Sequence, residues 1–179
     1  MRCAVGIFAA LLVALAVWGC GGDERADNAV EAREGNQVEL GGVRYRVVVF
    51  RQLNPFATPG DALWRGDPPR AGAGLYLVSL HACGVADGPA RATDEVHLED
   101  AFGQRFEPRS AGTADAYEYE PRKLEPGECL PREDSAAEET FGGAALVFAL
   151  PFEAIEERPI VLELGHPAGD DEARVQLDV

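Results

Sequence analysis

Gly74-Leu75-Tyr76-Leu77-Val78-Ser79-Leu80-His81-Ala82-Cys83 is the longest continuous run of strand-forming residues in the chain. Its residues alternate between two faces. Leu75, Leu77, Ser79, His81 and Cys83 share one, and Tyr76, Val78, Leu80 and Ala82 share the other. Both faces are largely apolar, so the run reads as a central strand. Upstream, Gln37–Leu40 and Val43–Phe50 flank Gly41-Gly42, a glycine pair that signals a two-residue hairpin. In the second arm Val43, Tyr45, Val47 and Val49 fall on one face, with Arg44 and Arg46 on the other. Downstream, Asp94–Leu98 and Gln104–Phe106 read as strands around a glycine turn, and Tyr117–Leu124 as another, closed by a Pro126-Gly127 type II turn. Ala144–Leu150, Pro159–Leu164 and Ala173–Val179 are the last three. About eight or nine short strands without an amphipathic helix predict an all-β fold, an antiparallel β-sandwich.

Two stretches lie outside this pattern. Leu53–Ala73 is long and rich in Pro and Gly, and it carries Phe56, Leu63 and Trp64. A loop of that length is often functional, so these three residues either cap the core or form a binding loop. The acidic segment Leu130–Thr140 reads as an exposed loop.

The N-terminus bounds the compartment. Arg2 is followed by an uncharged run from Cys3 to Trp18, too short to span a bilayer, which needs about 20 residues. It has the make-up of a signal peptide. Leu15-Ala16-Val17-Trp18-Gly19-Cys20 resembles the bacterial lipobox, although Trp18 stands where that motif usually has a smaller residue. The resemblance implies a lipid thioether on Cys20 and cleavage before it. Each buried methylene contributes about 0.8 kcal/mol, so the two or more chains so implied would hold the protein at a membrane surface without a transmembrane helix. Gly21–Asn36 is polar and lacks aromatic residues, which predicts a flexible tether. The expected organisation is a signal peptide over 1–19, lipidated Cys20 and tether over 20–36, and one folded domain over 37–179.

Setting aside Cys3 and Cys20 leaves Cys83 and Cys129, an even pair that reads as a disulfide in an exported domain, with two separate thiols as the alternative. The formal charge of −15 excludes binding to nucleic acid by general electrostatics. The expected partners are the membrane, through lipid on Cys20, and an envelope protein or surface ligand.

The order of pieces also resembles the immunoglobulin-like (telokin-like) domain of bacterial surface lipoproteins. The matching stretches are Leu40-Gly41-Gly42-Val43-Arg44-Tyr45, Gly74–Cys83, Val96–Phe106, Leu124-Glu125-Pro126-Gly127-Glu128 and Ala145–Pro151. The resemblance covers 37–179 and implies an immunoglobulin-like fold. It carries no catalytic or ligand residue.

Chemistry has little sequence support. There is no Gly-x-Ser-x-Gly, His-Glu-x-x-His or nucleotide-binding glycine loop, and no cofactor motif. His81, His97 and His166 lack metal-ligand spacing. Asp94/Glu95, Glu99/Asp100 and Asp170-Asp171-Glu172 could supply oxygen ligands to calcium, but no calcium-loop pattern is present. The expectation is a non-enzymatic binding module exported to the outer face of the bacterial cell membrane. A small secreted hydrolase and a calcium-binding envelope protein are the alternatives.

Overall fold

A computed structural model describes residues 29–109 and 112–178. The expected signal peptide and lipidated Cys20 lie outside the described residues. The chain folds as a β-sandwich of two five-stranded sheets, with a two-stranded pair beside them. In sheet A, β1 (Val30–Arg33), β12 (Glu172–Leu177), β11 (Ile160–Gly165), β6 (Val96–Glu99) and β7 (Arg105–Phe106) lie side by side in that order. Sheet B has the order β10 (Ala144–Pro151), β4 (Ala73–Gly84), β3 (Val43–Leu53) and β2 (Gln37–Leu40), with β9 (Cys129–Leu130) added to the far end of β4. The small pair is β5 (Ala90–Arg91) with β8 (Lys123–Leu124).

The two faces of β4 enter different cores, as its alternation predicts. Tyr76, Val78, Leu80 and Ala82 join the main core between the sheets, together with Tyr45, Phe148, Leu98, Leu162 and Val175. Leu75 and Leu77 face away from sheet A into a second core with Leu53, Leu63, Trp64, Phe141 and Val147. β4 is therefore buried on both faces over most of its length, which explains why it reads as a continuous apolar run.

That second layer corrects two expectations. Leu53–Ala73 is not irregular throughout, since β3 runs to Leu53 and Gly60–Leu63 form a short helix, α1. Gly60 sits so close to the backbone of Asn54 that an added Cβ would lie 2.0 Å from its carbonyl oxygen, so no side chain fits there. The segment Leu130–Thr140 is not simply an exposed loop. It contains most of a second helix, α2 (Ala136–Phe141), N-capped by Ser135, whose Oγ accepts from Glu138 N at 3.2 Å. Ala137 and Phe141, spaced i and i+4, are its buried face. Ser79 Oγ, buried on β4, donates to Phe141 O at 2.9 Å and fastens the helix to the sheet.

Three further differences have local causes. The expected tether over 20–36 ends earlier, because Val30–Arg33 pairs in parallel with β12 and Ala32 packs against the main core. In β3 the register shifts between Val47 and Val49, so Phe50 rather than Val49 takes the next buried position. Tyr117–Leu124 is strand only at Lys123–Leu124. Its upstream part bonds the edge of β10 through one isolated bridge, Glu118 with Ala145. The Gly41-Gly42 turn is as expected: φ values of 60° and 79° are those of a type I′ hairpin. A third short helix, α3 (Phe152–Glu156), follows β10.

A buried polar chain ties the loops to the main core. Tyr45 Oη accepts from Thr93 N at 2.8 Å, and Tyr119 Oη donates to Thr93 O at 3.0 Å. Burial pushes the Tyr45 phenol up to about 12 and raises that of Tyr119 as well.

Candidate functional site

Phe56, Leu63 and Trp64, read either as a cap on the core or as a binding loop, separate. Phe56 is 83% exposed, but Leu63 is 0% and Trp64 only 3% exposed. Leu63 and Trp64 thus serve the core, and only Phe56 remains as an apolar contact on the surface. Trp64 still shapes a surface feature. Its indole N–H donates to Asp67 O at 3.2 Å, and the Arg109 guanidinium lies 5.4 Å from its ring centroid, within cation–π range.

Arg109 is the hinge of a groove along the outer edge of β10. On one side is a cavity of about 110 Å³ bordered by Asp94, Thr113, Glu118, Tyr119 and Ala145. On the other is an open depression of about 400 Å³ bordered by Arg70, Ala73, Phe106, Ala149 and Pro151. The backbone explains why a groove forms here. Ala145 N donates to Tyr117 O, Tyr119 N to Ala145 O, and Arg109 N to Val147 O, at 2.6, 3.1 and 2.7 Å. The odd-numbered residues of β10 therefore direct their amide groups away from β4. By the same alternation Ala149 presents its N–H and C=O to this edge, where no backbone group among the described residues meets them. The capped part of the strand borders the small cavity, and the uncapped part borders the larger depression.

The small cavity holds one shifted carboxyl. Burial, then the nearby Glu120 and Asp115, push the Glu118 carboxyl above its ordinary value. At about 110 Å³ the cavity is well under the ~300 Å³ at the low end of small-molecule sites.

A second charged constellation covers the outer face of sheet A. Register places Glu31, Arg174, Glu163 and His97 side by side across four strands. Glu163 is 1% exposed, because the surrounding side chains cover it. Its Oε1 meets Arg174 Nη1, and its Oε2 meets His97 Nε2 and, at 3.2 Å, Arg105 Nη2. Arg174 also reaches Glu99 at 2.9 Å. Burial, then Arg105, lowers the His97 pKa, against the opposing pull of Glu107, Glu172 and Glu99. Glu163 is met by Arg174 and Arg105, and Arg174 by Glu99, so the row is a cross-strand ion network and not a set of free ligands.

Four of the carboxylates considered for calcium already have partners in the fold. Asp94 pairs with Arg91, Glu99 and Glu172 with Arg174, and Asp100 accepts from Phe102 N and Gln104 N. Cys83 and Cys129 form a disulfide across directly opposed positions of β4 and β9. Closing 46 residues in this way stabilises by about 4 kcal/mol on the chain-entropy account. Sequence reasoning missed Arg70, Arg109 and Glu118, which come to the two cavities only through tertiary structure and carry no motif.

No family model and no curated protein sequence matches this chain. Solved structures match it by fold. The yjhA protein of Bacillus subtilis superposes with a TM-score of 0.56 at 10% identity, over 82% of this chain and 99% of its own length. An uncharacterised β-sandwich protein from Clostridium difficile 630 gives a TM-score of 0.48 at 10% identity, over 88% and 99%. The ycdA protein of Bacillus subtilis subsp. subtilis strain 168, named as a putative lipoprotein, gives 0.49 at 7% identity over 81% of this chain, which spans 38% of its length. The likeness to yjhA is one of fold alone.

Proposed function

We propose that this chain is an exported lipoprotein, anchored through Cys20 at the outer face of the bacterial cell membrane, whose immunoglobulin-like sandwich is a non-enzymatic binding module. The observation that supports it is the groove beside β10. There Ala149, whose outward backbone groups meet no backbone partner among the described residues, lines a depression together with Arg70, Arg109 and the apolar Phe106 and Pro151. An open edge can accept an extended segment as an added strand, with main-chain hydrogen bonds giving affinity and flanking side chains giving selectivity. Two arginines in a chain of net charge −15 favour a segment that carries a carboxylate, and an envelope protein is the partner class.

The test is site-specific photo-crosslinking in intact membranes. A crosslinker at Ala149 is expected to yield a discrete protein adduct. The same probe at Arg46, on β3 away from the groove, yields none. Arg70→Glu, a change at an exposed position, is expected to reduce the Ala149 adduct several-fold. An identical adduct pattern from both positions, or no adduct at Ala149, would remove the groove from consideration.

A further inference from the structure

His81 and Cys83 lie two residues apart on the face of β4 that α2 covers, and Cys129 lies directly opposite Cys83 on β9. His81 Nδ1 is 3.5 Å from Cys83 Sγ, and one donor atom from each of the three residues lies within 4.8 Å of the others. In a tetrahedral zinc site, bonds of about 2.3 Å to sulfur and about 2.05 Å to nitrogen place those two ligand atoms about 3.5 Å apart. The histidine–sulfur spacing is thus already that of two ligands on one metal ion. The imidazole is also supported from behind. Glu138 Oε2 is buried, accepts no hydrogen bond, and sits 3.8 Å from His81 Nε2. A carboxylate on the far ring nitrogen is the usual outer support of a metal-bound histidine, where it fixes the ring and its tautomer.

We infer that the Cys83–Cys129 bridge is the oxidised form of a redox-gated site for a thiophilic divalent metal of the zinc class. Oxidised, the two sulfurs bond each other and the site is a structural staple. A dithiol donor transfers two electrons and two protons, breaking the S–S bond to give two thiols while the donor closes its own disulfide. The metal ion then displaces both thiol protons and binds two thiolates and His81 Nδ1, leaving one coordination position open. Cross-strand pairing at a Cα–Cα distance of 4.1 Å keeps both sulfurs on one face after reduction. They then need only separate to about 3.8 Å across the metal. This inference is independent of the groove beside β10. Sequence reading pairs Cys83 with Cys129 but does not join His81 to them, because the histidines are weighed for spacing among themselves.

The experiment uses the full chain in detergent with Cys3→Ser and Cys20→Ser, so that Cys83 and Cys129 are its only cysteines. A trialkylphosphine reduces the bridge, water supplying the oxygen of the phosphine oxide and the two thiol protons. Co²⁺ added to the reduced protein should give a thiolate-to-metal charge-transfer band that saturates at one equivalent and is bleached by Zn²⁺. The oxidised protein should give none. His81→Ala, which keeps both thiols, should weaken Co²⁺ binding at least tenfold, and Glu138→Gln should weaken it by about tenfold. No band on reduction, an equal band in the oxidised protein, or unchanged affinity in His81→Ala would each overturn the inference. If reduction alone unfolds the domain, Zn²⁺ must restore its β-sheet circular dichroism, and failure to do so overturns it equally.

Discussion

A strand that runs past the end of its neighbour leaves outward-facing amides with no ladder to join. β3 does this beyond Arg46, where β2 stops. Glu34 and Gly35 fill the gap: Gly35 N donates to Val47 O at 2.9 Å, and Phe50 N donates to Glu34 Oε1 at 3.0 Å. The other carboxylate oxygen accepts from Asp178 N at 3.0 Å, and Glu34 N donates to Gln176 O at 2.8 Å beside β12. One residue from the polar N-terminal segment thus joins sheet A to sheet B. Charge-assisted bonds of this kind contribute more than neutral ones, and an abandoned, partly buried donor costs about 1–3 kcal/mol. Glu34→Ala is therefore expected to lower unfolding free energy by about that amount in urea titrations with little change in slope, and Glu34→Gln by less. An Ala variant with the wild-type midpoint would show that water replaces the carboxylate at no cost. Nothing in the sequence marks Glu34, because its partners are backbone groups 16 and 144 residues away.

Elements that announce themselves in the sequence do so through one-face burial or continuous apolarity. β2, β3, β4, β10, β11 and β12 all have one or the other, and each lies near its expected limits. β1 does not, since its four residues bring only Ala32 to the core and its pairing depends on β12. The helix α2 was equally hidden, with two buried residues in six among acidic neighbours, though Ser135 followed three residues later by Glu138 is a capping signal. Leu53–Ala73 is the opposite case. Its apolar residues were conspicuous, but composition alone could not separate a binding loop from a cover over the outer face of sheet B. The energies separate them. Leu63→Ala should destabilise by about 2–5 kcal/mol, because it empties a fully buried position. Phe56→Ala should stay within about 0.5 kcal/mol, since that ring stands in solvent. Chemical denaturation of the two variants side by side checks the assignment, and a larger loss for Phe56→Ala would contradict the second core.

At the scale of the molecule, the corrected start of the sandwich changes its relation to the proposed anchor. With the first strand at Val30, ten residue steps from Cys20 span at most about 35 Å, where a link to Gln37 would have allowed about 60 Å. Residues 30–33 are held in sheet A and add no reach. An anchor at Cys20 would therefore hold the domain closer to the membrane than a tether reaching Gln37. A chain of net charge −15 gains nothing by electrostatics from anionic headgroups, so the attachment proposed through Cys20 would rest on the lipid. The hydrophobic term is insensitive to ionic strength, whereas charge-mediated adhesion weakens as the screening length shortens. Wild-type protein is accordingly expected to remain with the membrane fraction through a high-salt wash. Cys20→Ala, with the folded domain untouched, is expected to leave that fraction or to persist as unprocessed precursor of higher mass, and immunoblotting of the fractions distinguishes the two. Processed Cys20→Ala protein retained like wild type would show that something other than lipid on Cys20 holds the sandwich at the surface.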